Sequence, residues 1–299
     1  MLVPIRTMYG IRTAYDSSTL YDVSRAHQPR ERHRGRGRHR DEPFDPIWAR
    51  PEPSGRRAPR SREDIAEAAI AVADSEGIDA VSMRRVAAEL GLGTMSLYHY
   101  VRSKDELLDL MADGIMGGQL VDDAELRKGW RAGLSAIANA TRRNFERHPW
   151  MAEAMRPRPA SVPGPNAMRH IDQSLAAVAD TGLDVQGRMD LIAAVDDYVI
   201  GFVVRAQRFA EEEAQAPEPD RLAELFDHMR SRIETGDYPH LQRALEANRA
   251  AGLGDEDLAR MATDVRRFER GLERLLDGVE VELKRRRGRS RRASSADPK

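Results

Sequence analysis

Between Thr94 and Lys104 the chain gathers a dense set of polar tips: the hydroxyls of Thr94 and Ser96, the phenols of Tyr98 and Tyr100, the imidazole of His99 and the ammonium of Lys104. Such groups donate to phosphate oxygens, and with the thioether of Met95 beside them they can also meet base edges. The set follows LGLG (Leu90–Gly93), where two glycines mark a tight turn. Just upstream, Ser82 adds a hydroxyl and Arg84 a planar fork suited to a guanine edge, a contact worth about 1–3 kcal/mol of discrimination. Arg85 is the more ambiguous neighbour.

Catalytic chemistry finds no comparable set. The sequence holds no cysteine, no phosphate loop and no Gly-x-Ser-x-Gly, and His99 lacks a second histidine at metal-binding spacing. His39-Arg40-Asp41 imitates a kinase triplet but lies inside an arginine run. Asp196 and Asp197 point in different directions on one helix. The expectation is therefore no enzyme, no catalytic residue, no metal and no cofactor. The missing cysteines fit a reducing compartment, no apolar run approaches the roughly 18 residues that span a bilayer, and cytoplasm follows as the default.

The polar set needs elements to hold it, and the spacing supplies them. Ser61 is a helix cap followed by Glu63 and Asp64 in a first turn, and Ile65, Ala68, Ala69, Val72 and Ala73 recur at helical intervals up to Glu76-Gly77. Ser82 caps a second helix with Val86, Ala87 and Leu90 on its buried face, stopped by Gly91. A third begins within about three residues, so the segment reads as helix-turn-helix, with Leu92 and Leu97 locking the pair and the second helix entering a major groove. Tyr98 and Tyr100 could each instead pack against the first helix.

Downstream, Leu126, Trp130, Leu134, Ile137, Thr141 and Phe145 mark one long amphipathic face ending at His148-Pro149. Residues 188–208 are apolar on nearly all sides, which predicts a central helix covered all round. Leu258, Met261, Val265, Phe268, Leu272, Leu275 and Val279 approximate a coiled-coil seam. One chain cannot easily cover both surfaces, which argues for self-association.

A net charge of −1 conceals a strong asymmetry. Residues 1–62 carry 14 Lys/Arg against 7 Asp/Glu, and residues 284–299 carry 8 against 1, so each end is +7. The middle holds 26 basic and 41 acidic residues, or −15. Residues 1–60, with RERHRGRGRHR (Arg30–Arg40), read as a disordered basic arm, and the sequence leaves open whether residues 1–40 are made in the cell. The tail from Lys284 reads likewise, as a solubilising end or a second nucleic-acid contact. From Arg62 to Leu108 only 5 basic residues face 9 acidic ones, so Arg56, Arg57, Arg60 and Arg62 are expected to reach a minor groove as a supplement.

The run VSMRRVAAELGLGTMSLYHYVRSKDELLDLM (Val81–Met111) resembles the DNA-binding domain of the tetracycline-repressor family of bacterial transcription regulators. GPNAMRHID (Gly164–Asp172), DDYVIGFV (Asp196–Val203), YPHL (Tyr238–Leu241) and FERGLERLLDGVE (Phe268–Glu280) are similar to its ligand-sensing domain. The resemblance implies an all-α homodimer. It would have an N-terminal three-helix helix-turn-helix domain over 61–110, a helical ligand-binding and dimerisation domain over 120–283, and basic disordered ends over 1–60 and 284–299. It implies a repressor that leaves a near-palindromic double-stranded DNA operator when a small-molecule effector binds, with Ser82, Arg84, Thr94, Met95, Ser96, Tyr98, His99, Tyr100 and Lys104 on the DNA and no membrane involved.

For the effector the residues offer only a region: Met155 and Arg156 ahead of Pro157, His170, and Tyr198, Phe202 and Arg205 on the central helix. Each aromatic reads more readily as plain core. In an ungapped match of Arg156-Pro157 to the family's best-known member, the histidine that holds a magnesium-bound drug falls on Ala152, which makes metal-chelated tetracycline a poor candidate. The acidic stretch Ala210–Asp220 is a possible entrance flap. The competing reading is an architectural nucleic-acid protein that uses its basic arms without a sensor.

Overall fold

The computed structural model describes residues 45–53, 60–154, 162–214, 219–252 and 264–295, and every regular element among them is helical. Two compact units emerge, one of residues 1–117 with 153–168 and one of residues 118–152 with 169–299.

In the first unit, α1 (Arg62–Glu76) starts on a reciprocal cap: the Asp64 amide donates to Ser61 Oγ at 3.0 Å and the Ser61 amide donates to Asp64 Oδ2 at 2.7 Å. Ile65, Ala69, Val72 and Ala73 form its buried stripe, as their spacing requires. α2 (Met83–Glu89) is capped by Ser82 and closed by Gly91 at φ 67°. There the Leu92 amide reaches back to the Ala87 carbonyl at 2.8 Å and the Gly91 amide to Ala88 at 3.1 Å, a Schellman closure whose left-handed residue is a glycine for steric reasons. α3 (Thr94–Leu97) follows, and α4 (Lys104–Gly117) packs Leu107, Leu110, Met111 and Ile115 into the core that α1 helps to form.

Residues 45–53, expected to belong to a disordered arm, are instead seated on this unit. Ile47 is 1% exposed, the Arg62 guanidinium donates to the carbonyls of Ile47 and Arg50 at 2.9 and 3.0 Å, and Arg50 pairs with Glu106 at 2.6 Å. Two apolar residues, Ile47 and Trp48, give an otherwise polar stretch something to bury, a local exception that a compositional average conceals. Residues 1–44, with the Arg30–Arg40 run, and Arg56 and Arg57 lie outside the described residues.

α4 also holds the start of α8 (Pro165–Ala177). The buried Asp113 carboxylate accepts from the amides of Asn166 at 3.0 Å and Ala167 at 2.9 Å, satisfying donors that a helix start leaves unpaired. Gly164 sits against it, and Trp48 Nε1 donates to the Val162 carbonyl at 3.2 Å.

The second unit is built around α6 (Trp130–Arg147), α9 (Val185–Ala214) and α12 (Val265–Ser295), with α5 (Asp123–Leu126) at the start of α6 and α7 (Met151–Ala154) after it. Leu191, Ile192, Val195, Val199, Phe202 and Val203 of α9 are buried, but Ile200 on its other side is 40% exposed, so the helix is not covered all round within one chain. On α12 the buried residues are Phe268, Leu272, Leu276 and Leu283, so the seam turns from the Leu275 and Val279 positions toward Leu276 and Leu283. Leu258 and Met261 lie outside the described residues. α10 (Pro219–Glu234) and α11 (Pro239–Ala250) complete the order; of the stretch Ala210–Asp220 expected as a loop, residues 210–214 and 219–220 are helical and residues 215–218 lie outside the described residues.

The tail is a second departure. α12 continues to Ser295 because it leaves a packed helix whose nucleation has already occurred, its residues are good helix formers, and Lys284 and Arg286 pair one turn back with Glu280 and Glu282 at 2.8 Å.

Two titrating groups oppose each other in this unit, His170 buried and Asp196 half-buried. Burial pushes the His170 imidazole from 6.5 down to about 4, while burial, with Asp197 adjacent, pushes the Asp196 carboxyl from 3.8 up to about 7. Between pH 4 and 6.5 the unfolded chain binds a proton at His170 that the folded one refuses, so acid destabilises; at Asp196 the folded chain keeps a proton that the unfolded one has lost, so acid stabilises. The two slopes nearly cancel. An Asp196→Asn variant exposes the histidine slope, and its melting temperature is expected to fall more steeply than wild type between pH 7 and 4.5; parallel curves would show that Asp196 does not titrate in this window.

Candidate nucleic-acid interface

α3 presents its residues in two sets. Leu97 is fully buried and fixes the element to the unit, while Met95 is 76% exposed, Tyr98 is 43% exposed, and Ser96 and His99 are exposed with them. The turn continues through amide bonds from His99 to Ser96 and from Tyr100 to Leu97, so one short helical surface carries the outward groups. Thr94 is half-buried at its start and Lys104 is exposed at the head of α4. Arg84 is exposed in the first turn of α2, and among the described residues neither Arg84 nor Lys104 has an ion-pair partner.

Tyr100 departs from this set. It is 4% exposed, and its phenol oxygen accepts from the Arg60 amide at 3.4 Å, so it belongs to the packing beside the start of α1 rather than to the outward face. The reason is helical pitch: Leu97, Tyr100 and Val101 share one side of the turn, and that side faces the core. Ser82 is occupied as an acceptor from the Arg85 amide at 3.2 Å, which leaves its own O–H free to donate.

The remaining cations among the described residues of this domain are committed inside it. Arg85 bridges Glu76 and Glu89 at 2.7 and 2.8 Å, hydrogen bonds that raise its pKa further, and Arg102 pairs with Asp45 at 2.7 Å. Arg60 donates to the Leu90 carbonyl at 3.2 Å, and Arg62 is tied to the 47–53 segment. The expectation that Arg60 and Arg62 extend to a minor groove is therefore not met: main-chain carbonyls at turn ends attract a guanidinium whose five donors suit several acceptors at once.

The effector candidates do not converge. Met155 and Arg156 lie outside the described residues. The Tyr198 hydroxyl donates to the Phe268 carbonyl at 2.8 Å, and Phe202 meets the Phe268 ring edge-on at 5.1 Å, so both tie α9 to α12. Arg205 lies instead along the open side of α9 with Ile200 and Val204. Phe202 also lines a cavity of about 450 Å³ with Phe145, Val203 and Ala206.

His170 stands in a buried polar cluster of a kind that single residues do not announce. Its Nδ1 lies 3.1 Å from Gln173 Nε2, which also donates to the Gln119 carbonyl at 3.1 Å; the Thr141 hydroxyl donates to Gln119 Oε1 at 3.3 Å. Gln119 is 2% exposed and its Nε2 has no partner among the described residues. Two glutamines in otherwise apolar surroundings were the available signal, and glutamine is too common on surfaces for that signal to stand out.

A tight turn presenting an exposed reading helix, followed by a helical unit with buried polar groups, defines a helix-turn-helix DNA-binding protein with a second all-α domain. Residues 65–111 match the model for bacterial regulatory proteins of the tetR family, and residues 124–283 match the tetracyclin repressor-like C-terminal domain. The chain is 37% identical over 244 residues to the HTH-type transcriptional repressor DrrR1 of Streptomyces coeruleorubidus, covering 79% of this chain and 86% of that one. It is 34% identical to an HTH-type transcriptional regulator of Saccharopolyspora erythraea, covering 78% and 90%. Apo ActR from Streptomyces coelicolor superposes with a TM-score of 0.56 at 26% identity over 76% of this chain and 98% of that one, and ActR with actinorhodin superposes with 0.53 over 76% and 99%. The chain belongs to the tetR family of bacterial regulatory proteins and is a DNA-binding transcription regulator.

Proposed function

We propose that the chain is a cytoplasmic homodimeric repressor that leaves a near-palindromic operator when a small molecule occupies its C-terminal unit. Arg84, Met95, Ser96 and His99 read bases; Ser82, Thr94, Tyr98 and Lys104 hold phosphates; Tyr100 is withdrawn from the contact set. The helix-turn-helix domain spans 61–110 and the sensing domain 120–283. Similarity to repressors along both domains disfavours an architectural role without a sensor, and no catalytic role is assigned. Among the described residues no helix is long and apolar enough to cross a membrane.

The observation that carries the ligand reading is the unpaired Gln119 Nε2. A buried donor without a partner costs about 1–3 kcal/mol, so it marks a place where a ligand acceptor is favourable. Gln119 follows α4 by two residues, and Gln173 lies on α8, whose first turn is held by Asp113 of α4. A molecule that pulls on this cluster therefore pulls on the helix that leaves the reading domain. The open face of α9, with Ile200, Val204 and Phe209 along a shallow groove, is where a second copy packs. Two copies set the reading helices about 34–36 Å apart, one DNA turn.

The test uses actinorhodin, which ActR holds in its own structure, within a panel of small molecules. A compound that binds only the folded chain raises stability by about 2.7 kcal/mol at a hundredfold excess over its Kd. At least one compound is expected to raise the melting temperature and release labelled operator, with Gln119→Leu blunting both effects while still binding DNA. A compound that stabilises the protein without releasing DNA would contradict the coupling.

A further inference from the structure

The reading domain contains few cations available to DNA. Of its described basic side chains, Arg50, Arg85 and Arg102 are paired with carboxylates and Arg60 and Arg62 with main-chain carbonyls, which leaves Arg84 and Lys104 among the described residues. Sequence-independent affinity comes mainly from phosphate neutralisation, so the two free cations of the described reading domain give a weak electrostatic term.

At the other end of the chain, α12 runs on as a helix to Ser295 after its last core residue, Leu283, which is 4% exposed. Residues 284–288 are exposed. Lys284 and Arg286 have acidic partners one turn back, whereas Arg285 and Arg287 have none among the described residues. The sequence adds Arg289, Arg291 and Arg292 on the same helix, with no acid before Asp297. At a rise of about 1.5 Å per residue, the seven basic positions span roughly 13 Å of axis, a dense positive segment even with Lys284 and Arg286 shared with acidic partners.

Helical spacing also places like charges three and four residues apart, Lys284 with Arg287, Arg285 with Arg289 and Arg287 with Arg291. Such pairs destabilise a helix by a few tenths of a kcal/mol each. A polyanion laid along the helix removes that repulsion.

We propose that the helix from Lys284 to Arg292 is a second, sequence-blind DNA contact whose ligand is the phosphate backbone of duplex DNA. It supplies the electrostatic affinity that the reading domain lacks, and α3 supplies the preference for one sequence. This rests on the DNA-binding reading of α3.

The experiment compares the full chain, a truncation after Leu283, and the variant Arg285→Gln, Arg287→Gln, Arg289→Gln, Arg291→Gln, which retains the helix with good helix formers. Binding to an operator first mapped by footprinting with the full chain, and to a scrambled duplex of equal length, is followed by fluorescence anisotropy between about 0.05 and 0.3 M salt, slopes in this range being diagnostic of phosphate contacts. The four-Gln variant is expected to bind both duplexes at least ~10-fold more weakly near 0.15 M salt. Its log-log salt slope is expected to be shallower by about 3.6 for each subunit whose tail contacts the duplex, near 0.9 per lost contact and so up to about 7 for the dimer, and the operator-to-scrambled ratio should not change. Unchanged slopes on both duplexes would overturn the proposal, as would normal DNA binding combined with loss of binding to phosphatidylserine vesicles. A full chain that does not distinguish operator from scrambled DNA would instead overturn the reading of α3, and the slope on scrambled DNA would still decide the role of the tail.

Discussion

Replacing Tyr98 and Lys104 together by alanine is expected to erase the footprint expected of the wild-type protein on a near-palindrome upstream of its own gene. Both side chains are exposed at the end of α3 and the head of α4, and neither supports the core, so the melting temperature should be unchanged. Each hydrogen bond to a charged phosphate is worth about 1.5–3 kcal/mol, and a dimer loses every contact twice. Affinity should fall by at least ~100-fold, about 2.7 kcal/mol. Diffuse protection of equal strength by both proteins would mean that basic segments elsewhere in the chain do the binding and that α3 does not read DNA.

Gly164→Ala is expected to have a large effect on stability. A Cβ there would overlap the Asp113 carboxylate and come within 2.6 Å of Trp48 Cζ2. Asp113 is pinned by the amides of Asn166 and Ala167, and Trp48 by its bond to the Val162 carbonyl, so neither can move without leaving buried donors unpaired. Overpacking of this kind costs about 1–3 kcal/mol, and an unpaired buried donor adds about 1–3 more. A fall of roughly 5–15 °C in the melting temperature is expected. Gly278→Ala is the control: its Cβ meets nothing within 4 Å on exposed α12, where alanine favours the helix. Equal melting temperatures for the two variants would show that Gly164 does not face Asp113 and Trp48.

The helix-turn-helix was legible in the sequence because its signals are local. Ser61 and Ser82 as caps, Gly91 as the left-handed closure and the recurrence of Ile65, Ala69 and Val72 each report on backbone geometry within a few residues. The same local rules extend to the outward set on α3, with the exception of Tyr100. A phenol is amphipathic, and which side of a short helix it takes depends on the neighbour that packs there, here the start of α1.

The effector region was not legible in the same way. Tyr198, Phe202, Arg205 and His170 were selected for residue type, yet Tyr198 and Phe202 join two helices, Arg205 lies on the open face of α9, and only His170 enters a polar cluster. Its companions Gln119, Thr141 and Gln173 are spread over three segments whose meeting is a matter of packing alone.

The ends of the chain show the same division. The sequence by itself determined the helical class, the caps and turn of the reading domain, and the +7 charge of each end, because composition and short-range periodicity act through bonds no longer than a turn. Only the tertiary structure decided that residues 45–53 are seated beneath Arg62, that most arginines of the reading domain are already partnered, and that the basic tail is the continuation of a packed helix. Those outcomes depend on which distant groups burial brings together, where an unpaired polar atom costs more than any local preference can offset.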